Sequence, residues 1–253
     1  MSFYNHWDYA EKAINSYYRS LDGKYDYHLI VLDDCSPDVE PQTIAKGMSK
    51  FDSYMYIRFK KNRGLTRSWN YGLDEAIHRL RADYVVIAND DIIIPNGAIG
   101  RLIDGLRMQG SDSIIGPLSN GPGDHAETQD IRNYLPDYAP SDKAQDIEQI
   151  SQRVSPNAVV KVESVNGFFW AGRSKVFLRN TFRHFIPRRF YFDPVNVNYE
   201  NEIEFQRRLR KLRPRVKLMV AANVFIFHYK DVSQESLERG RIPDEWVFRS
   251  KPL

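Results

Sequence analysis

The chain has 253 residues, of which 42% are hydrophobic and 13% aromatic, enough to bury one sizeable core, so one globular unit is expected over 1–253. Thirty-six Lys and Arg against 33 Asp and Glu leave a net charge of +3, which excludes a strongly polycationic nucleic-acid binder and any nucleic-acid partner of that kind. Cys35 is the only cysteine and cannot form an internal disulfide, which fits a reducing, cytoplasmic setting. No run reaches the roughly 18 to 20 apolar residues of a membrane span, and MSFYNHWDYAEK lacks the apolar centre of a signal peptide, so a soluble chain with no transmembrane segment is expected. Internal repeats and low-complexity tracts are absent from the sequence.

Taken in chain order, the first hundred residues alternate helix and strand. The pattern predicts a helix over 9–21, a short buried strand over 27–32 and a polar turn, Asp33-Asp-Cys-Ser-Pro-Asp38. A strand over 54–59, a helix over 66–81 and a Val/Ile strand over 84–88 follow, the last breaking at Asn89-Asp-Asp91. This order predicts an α/β fold with a mostly parallel sheet and helices on both faces. Ligands of such sheets bind beyond the carboxyl ends of the strands, where both acidic turns fall. From 119 to 156 the chain is polar and rich in Pro, Gly, Asp and Gln, which predicts a long loop or lid with one short helix within 142–153. Apolar order returns over 159–170; helices are expected over 174–180 and 201–212, the second stopped by Pro214, and a strand over 216–227 leads to His228.

Three groups of residues could carry chemistry. Adjacent carboxylates at a strand end, Asp90 and Asp91, repel each other and are best tolerated beside a divalent cation; a solvated turn or helix cap is the competing reading. His228 also ends an apolar strand, and a mixed carboxylate and imidazole set suits Mn²⁺ or Mg²⁺ better than structural zinc. On the helix over 201–212, Phe205, Leu209 and Leu212 form the expected buried stripe, and counting back three from Phe205 puts Glu202 beside it. Complementing the helix dipole is the alternative role for Glu202, and Glu204 with Arg208 reads as a solvated ion pair.

The succession Tyr4-Asn5, Val31-Leu-Asp-Asp-Cys-Ser-Pro-Asp38, Asn62-Arg-Gly-Leu-Thr-Arg-Ser-Trp-Asn-Tyr-Gly72, Asn89-Asp-Asp91, Gly167 with Arg173, Asn201-Glu-Ile-Glu204 with Arg208, and His228 resembles the inverting GT-A fold glycosyltransferases of the family 2 type, over nearly the whole chain and in order. The resemblance implies a single GT-A catalytic domain: a nucleotide-sugar-binding half over 1–118 and an acceptor-binding, catalytic half over 119–253. It implies that Asp33 and Asp34 bind the base and ribose of a nucleotide-diphosphate sugar, and that Asn62, Arg63 and Asn70 close over the nucleotide. It also implies that a metal held chiefly at Asp90, with Asp91 adjacent, binds the diphosphate, and that the base is Glu202, with Glu200 its rival. The family pattern usually has Asp where Glu202 stands and a carboxylate near Ala88 or Asn89, and its members usually open with a buried strand just before Tyr4-Asn5. Either the sheet lacks that strand or the first residues take its place.

The expected reaction is one displacement with inversion, in which Glu202 takes the proton of an acceptor hydroxyl, on a glycan or another molecule, and a metal at Asp90 and His228 stabilises the departing diphosphate. Arg67 and Lys230 add positive charge there, and Asn166-Gly-Phe-Phe-Trp170, with Asn166, Gly167 and Trp170 as contacts, forms an acceptor wall or else a core strand. A nucleotidyltransferase would need a Gly-rich basic phosphate loop near the N-terminus, which the sequence lacks. A non-catalytic carbohydrate-binding module is the third class.

Overall fold

The computed structural model describes residues 1–110, 112–122, 127–139, 146–154, 158–183, 189–195 and 201–229. Strands β1 (Ser2–Phe3), β2 (Leu29–Asp33) and β3 (Tyr54–Arg58) make a parallel sheet, with Ser2 opposite Leu32 and Leu29 opposite Tyr54. The first residues therefore do take the place of the opening strand, for two residues. Leu32 N–H donates to the Met1 carbonyl at 3.0 Å and Asp34 N–H to that of Phe3 at 2.9 Å. Helices α1 (Trp7–Ser20), α2 (Pro41–Met48) and α3 (Leu65–Asp74) connect these strands to the next, and α3 runs on as a π turn over Glu75–Arg79.

The second sheet is mixed. Its strands, β4 (Tyr84–Ala88), β5 (Ile92–Ile93), β6 (Ser113–Ser119), β8 (Phe169–Arg173) and β11 (Lys217–His228), lie in the order β4-β8-β6-β11-β5, and β7 (Val159–Lys161) pairs with β11. Among the described residues only β6 and β11 are parallel neighbours in it. Helix α4 (Ala98–Met108), with α1, covers one face; α5 (Ile147–Arg153), α6 (Ser174–Leu178) and α7 (Asn201–Leu212), with α3, cover the other. A short antiparallel pair, β9 (Phe182–Arg183) and β10 (Arg189–Phe190), precedes α7.

Strand alternation divides the core. Phe169 and Ala171 of β8 point to the α1 and α4 side, whereas Trp170 points to the other, where it meets Phe177, Phe192 and Phe205. The same alternation runs along β11 until the register shifts between Ala221 and Phe225, after which its parity reverses: Leu218 and Val220 face the Trp170 side, but Val224 and Ile226 face α1 and α4. On α7 the buried stripe is Phe205 and Leu209; Leu212, expected inside, is 55% exposed because the helix ends there and the chain turns outward at Pro214. Between β2 and β4, below the two-residue β1, lies a cleft of about 770 Å³ walled by residues such as Leu29, Ile30, Tyr84, Val86, Leu73 and Ile103.

Candidate active site

The acidic break after β4 is anchored from both sides. Asn89 N–H donates to the Phe168 carbonyl at 2.8 Å, and Tyr229 N–H donates to the Asp91 carbonyl at 2.9 Å. Strand β5, directly after Asp91, pairs antiparallel with the end of β11, so that Ile92 lies opposite His228. That register brings His228 Nε2 to 3.2 Å from Asp91 Oδ1, both side chains being nearly buried. The other ring nitrogen, Nδ1, is 3.0 Å from the Gly121 carbonyl; a carbonyl can only accept, so Nδ1 carries the proton and Nε2 is left facing the carboxylate. The Phe168 ring stacks on the imidazole, centroids 4.9 Å apart at 17°.

One residue before Phe168, Gly167 lies beneath Glu202. A Cβ built at Gly167 would stand 2.9 Å from the Glu202 Cδ, so glycine is what lets the carboxylate lie across the backbone. Asn201, at the start of α7, accepts from Glu202 N–H at 2.8 Å and donates to Thr66 Oγ1 at 3.0 Å, tying α7 to the start of α3. Two amide side chains hold the strand segment in register: Gln206 exchanges hydrogen bonds with both backbone groups of Val165, and Gln129 accepts from Asn166 N–H at 2.7 Å while donating to Pro117. The segment 166–168 thus joins Glu202 to the Asp91 and His228 pair. Glu200, the rival base, lies outside the described residues.

The expected nucleotide residues are partly committed to the fold. Asp33 is fully buried: its Oδ1 accepts from Ser36 N–H at 2.8 Å, its Oδ2 accepts from the Tyr56 hydroxyl at 3.0 Å, and Arg58 stands 3.5 Å away. The turn over 33–38 is built on that carboxylate, so Asp33 shapes the turn instead of presenting free oxygens to a base. Asp34 accepts from Arg63 N–H and Gly64 N–H, both at 2.8 Å, and Asn62 Oδ1 also accepts from Gly64, which sits at φ 78°. Burial pushes the Asp34 carboxyl above the usual range, and those two N–H groups offset part of the shift. Arg63 lies 4.4 Å over the Phe59 ring, and Arg67 is half-buried on the first turn of α3.

Two expectations are corrected by packing. Asn70 uses its amide on the backbone of 191 and 192, accepting from Tyr191 and Phe192 and donating to Phe192, so it is a structural clamp and not a lid over a nucleotide. Trp170 has no exposed surface and sits among Phe177, Phe192 and Phe205, so it is core and no part of an acceptor wall. Lys230 lies outside the described residues. Thr66, Asn201 and Phe168, whose contacts complete the site, lie inside the quoted motifs but were given no role there; the one local signal for Asn201 is an amide residue at the predicted start of a helix.

The model of glycosyl transferase family 2 matches residues 1–169. The chain belongs to glycosyltransferase family 2. Among solved structures, GalNAc-T7 with UDP, GalNAc and Mn²⁺ is similar at 12% identity and a TM-score of 0.65, over 90% of this chain and 42% of that one. TarS of S. aureus is similar at 18% identity and a TM-score of 0.57, over 90% of this chain and 35% of that one, and its 1–349 portion matches with 58% of its length. The chain thus spans less than two thirds of these neighbours, and at such identities the likeness shows the GT-A fold. No curated protein sequence matches.

Within this family 2 fold the residues of the acidic break suit a divalent cation. Asp91 Oδ1 is buried and receives no hydrogen bond, and the imidazole nitrogen 3.2 Å away points at it, an arrangement that a shared proton or a cation satisfies. Asp90 lies beside it; burial first and the Asp91 carboxylate second push the Asp90 carboxyl far above the usual range. Among the described residues no three His, Cys, Asp or Glu side chains converge, so phosphate oxygens and water would have to complete the shell.

Proposed function

We propose that this chain is an inverting glycosyltransferase that moves a sugar from a nucleotide-diphosphate donor to an acceptor hydroxyl, on a glycan or another molecule, with Mn²⁺ or Mg²⁺. The observation that carries the reading is the short segment 166–168, which sets a carboxylate, Glu202, and an imidazole beside a carboxylate, His228 and Asp91, at one end of the sheet. Family membership and the Mn²⁺ and UDP in GalNAc-T7 support it.

In this reading Asp91 and His228 hold the cation, with Asp90 beside them; the sequence alone favoured Asp90 as the chief ligand. A cation held there would supply charge neutralisation of the diphosphate leaving group. Glu202 removes the proton of the acceptor hydroxyl, whose oxygen bonds to the anomeric carbon as the bond from that carbon to the diphosphate breaks; the electron pair leaves with the phosphate, and the configuration inverts. Asp33 folds the turn over 33–38, Asp34 holds the loop that carries Arg63 and leads to Arg67 beside the nucleotide, and Asn166 and Gly167 border the acceptor.

The test is hydrolysis and transfer with a panel of nucleotide sugars, each with and without Mn²⁺. Release of nucleoside diphosphate that requires the metal supports the reading. Pyrophosphate release from a nucleoside triphosphate and a sugar phosphate would instead make it a nucleotidyltransferase, and carbohydrate binding without turnover a binding module.

A further inference from the structure

The far end of α7 carries a charge concentration that the active-site chemistry does not use. Arg207, Lys211, Arg213, Arg215 and Lys217 are all exposed, and among the described residues none of them pairs with a carboxylate. Two further cations border the same surface, Arg210 on Glu163 at 2.6 Å and Arg179 on Asp112 at 2.5 Å; Lys217 N–H donates to the Asp112 carbonyl, which fixes the second pair beside the ridge. Seven cations therefore stand against two carboxylates on this surface, in a chain whose whole net charge is +3. The ridge runs over the end of α7, the turn at Pro214 and the first residue of β11. At its centre stands Leu212, 55% exposed between Lys211 and Arg213.

We propose that this ridge docks the protein on an anionic lipid surface. An exposed leucine flanked by long cationic side chains suits a bilayer interface, where the leucine enters the acyl boundary and the cations meet anionic headgroups. No helix among the described residues is long and apolar enough to cross a membrane, so the contact is peripheral. Leu212 is ten residues along α7 from Glu202, about 15 Å at 1.5 Å per residue, so the ridge and the candidate catalytic end of the helix are separate places. The proposal stands apart from the assignment of Glu202 as base, because its readout is binding.

The experiment is co-sedimentation of the full chain with vesicles of phosphatidylcholine alone and with about one third phosphatidylglycerol, at low and high salt, with polyphosphate binding measured in parallel. The wild type is expected on the anionic vesicles only, released by salt. Arg213→Glu with Arg215→Glu should weaken vesicle binding roughly 20-fold or more, since each cation near such a surface contributes on the order of 5-fold. Leu212→Ser should weaken vesicle binding and leave polyphosphate binding unchanged. Both variants must keep the wild-type circular dichroism and thermal transition, which exposed positions permit. Absence of wild-type binding to anionic vesicles overturns the proposal; so does a Leu212→Ser variant that binds vesicles like the wild type, which would make the ridge a site for soluble polyanions.

Discussion

Gly167 has no room for a side chain because Glu202 lies on it, and this makes two single-residue tests. Glu202→Gln should lower transfer by about 10²- to 10⁴-fold with donor affinity retained, the usual range for a general base. Gly167→Ala leaves the carboxylate in place chemically but displaces it, and a shift on the order of 1 Å can cost about 100-fold, so kcat should fall with little change in donor Kd. Both are read by steady-state kinetics and calorimetry; wild-type kcat in either variant would remove Glu202 from the reaction. At the proposed metal site, Asp91→Asn and His228→Ala should each weaken Mn²⁺ binding at least roughly 10-fold by titration calorimetry, even in the absence of donor. The sequence made both residues visible as strand-end polar groups but weighted Asp90, because the pairing of β5 with β11 that brings Asp91 beside His228 is a long-range contact no local pattern carries. In the same way the acidic pair at 33 and 34 was legible as a strand-end turn, whereas the inward use of Asp33 by Tyr56 depends on a neighbour on another strand.

At the level of elements, the span of α7, its buried Phe205 and Leu209, and its stop before Pro214 follow from period and capping, whereas Leu212 of the same expected stripe is exposed. The surroundings of Arg208 were not legible in the sequence. Expected as half of a solvated pair, it is 15% exposed and donates to Glu204, to the Asn180 side chain at 2.7 Å, to the Asn180 carbonyl and to the Tyr191 carbonyl at 2.7 Å, so it pins α7 to the chain just before β9 and just after β10. Arg208→Lys cannot reproduce that fork and should destabilise the fold by about 1.5–3 kcal/mol in denaturant unfolding, whereas a solvated pair would lose less than about 1 kcal/mol. The helices α2 and α4 and the strand β6 escaped the sequence reading, and so did the irregularity in β11. That irregularity has the largest effect on the site, since the reversed parity after Ala221 decides which face the residues leading to His228 occupy. A coupling of α3 to α7 runs through Thr66 and Asn201, and a double-mutant cycle of Thr66→Val and Asn201→Ala should show an interaction of about 0.5–3 kcal/mol; additive effects would mean that the helices are held independently.

For the molecule as a whole, alternating helices and strands correctly announced an α/β fold, and the parallel order holds for the first sheet; the second is mixed because β8 and β11 return antiparallel to most of their neighbours. Burial of Asp34 and Asp90 gives the fold a definite pH response. Both carboxyls are raised in the folded state, so the native protein holds more protons than the unfolded chain once pH passes the unfolded carboxylate value of roughly 4. Without metal, the contribution of these two groups should be complete below that pH and fade as pH rises through their folded values. A cation at Asp91 replaces the proton as the compensating charge, so Mn²⁺ should flatten the decline; thermal melts from pH 5 to 8 with Mn²⁺ and with EDTA test this, and identical slopes would count against it.

The cleft between β2 and β4 implies a line along which the molecule breathes. In the antiparallel pairing of β4 with β8, Asn89 N–H bonds to Phe168 and Ser174 N–H to Asp83, so the bonded positions along β4 are the odd ones. The amides of Tyr84 and Val86 point the other way, toward the cleft, while those of Val85 and Ile87 are locked onto β8. Deuterium should therefore enter this one strand in alternation, quickly at 84 and 86 and slowly at 85 and 87, a pattern that a strand set in a continuous sheet would not produce and that residue-resolved exchange would read directly.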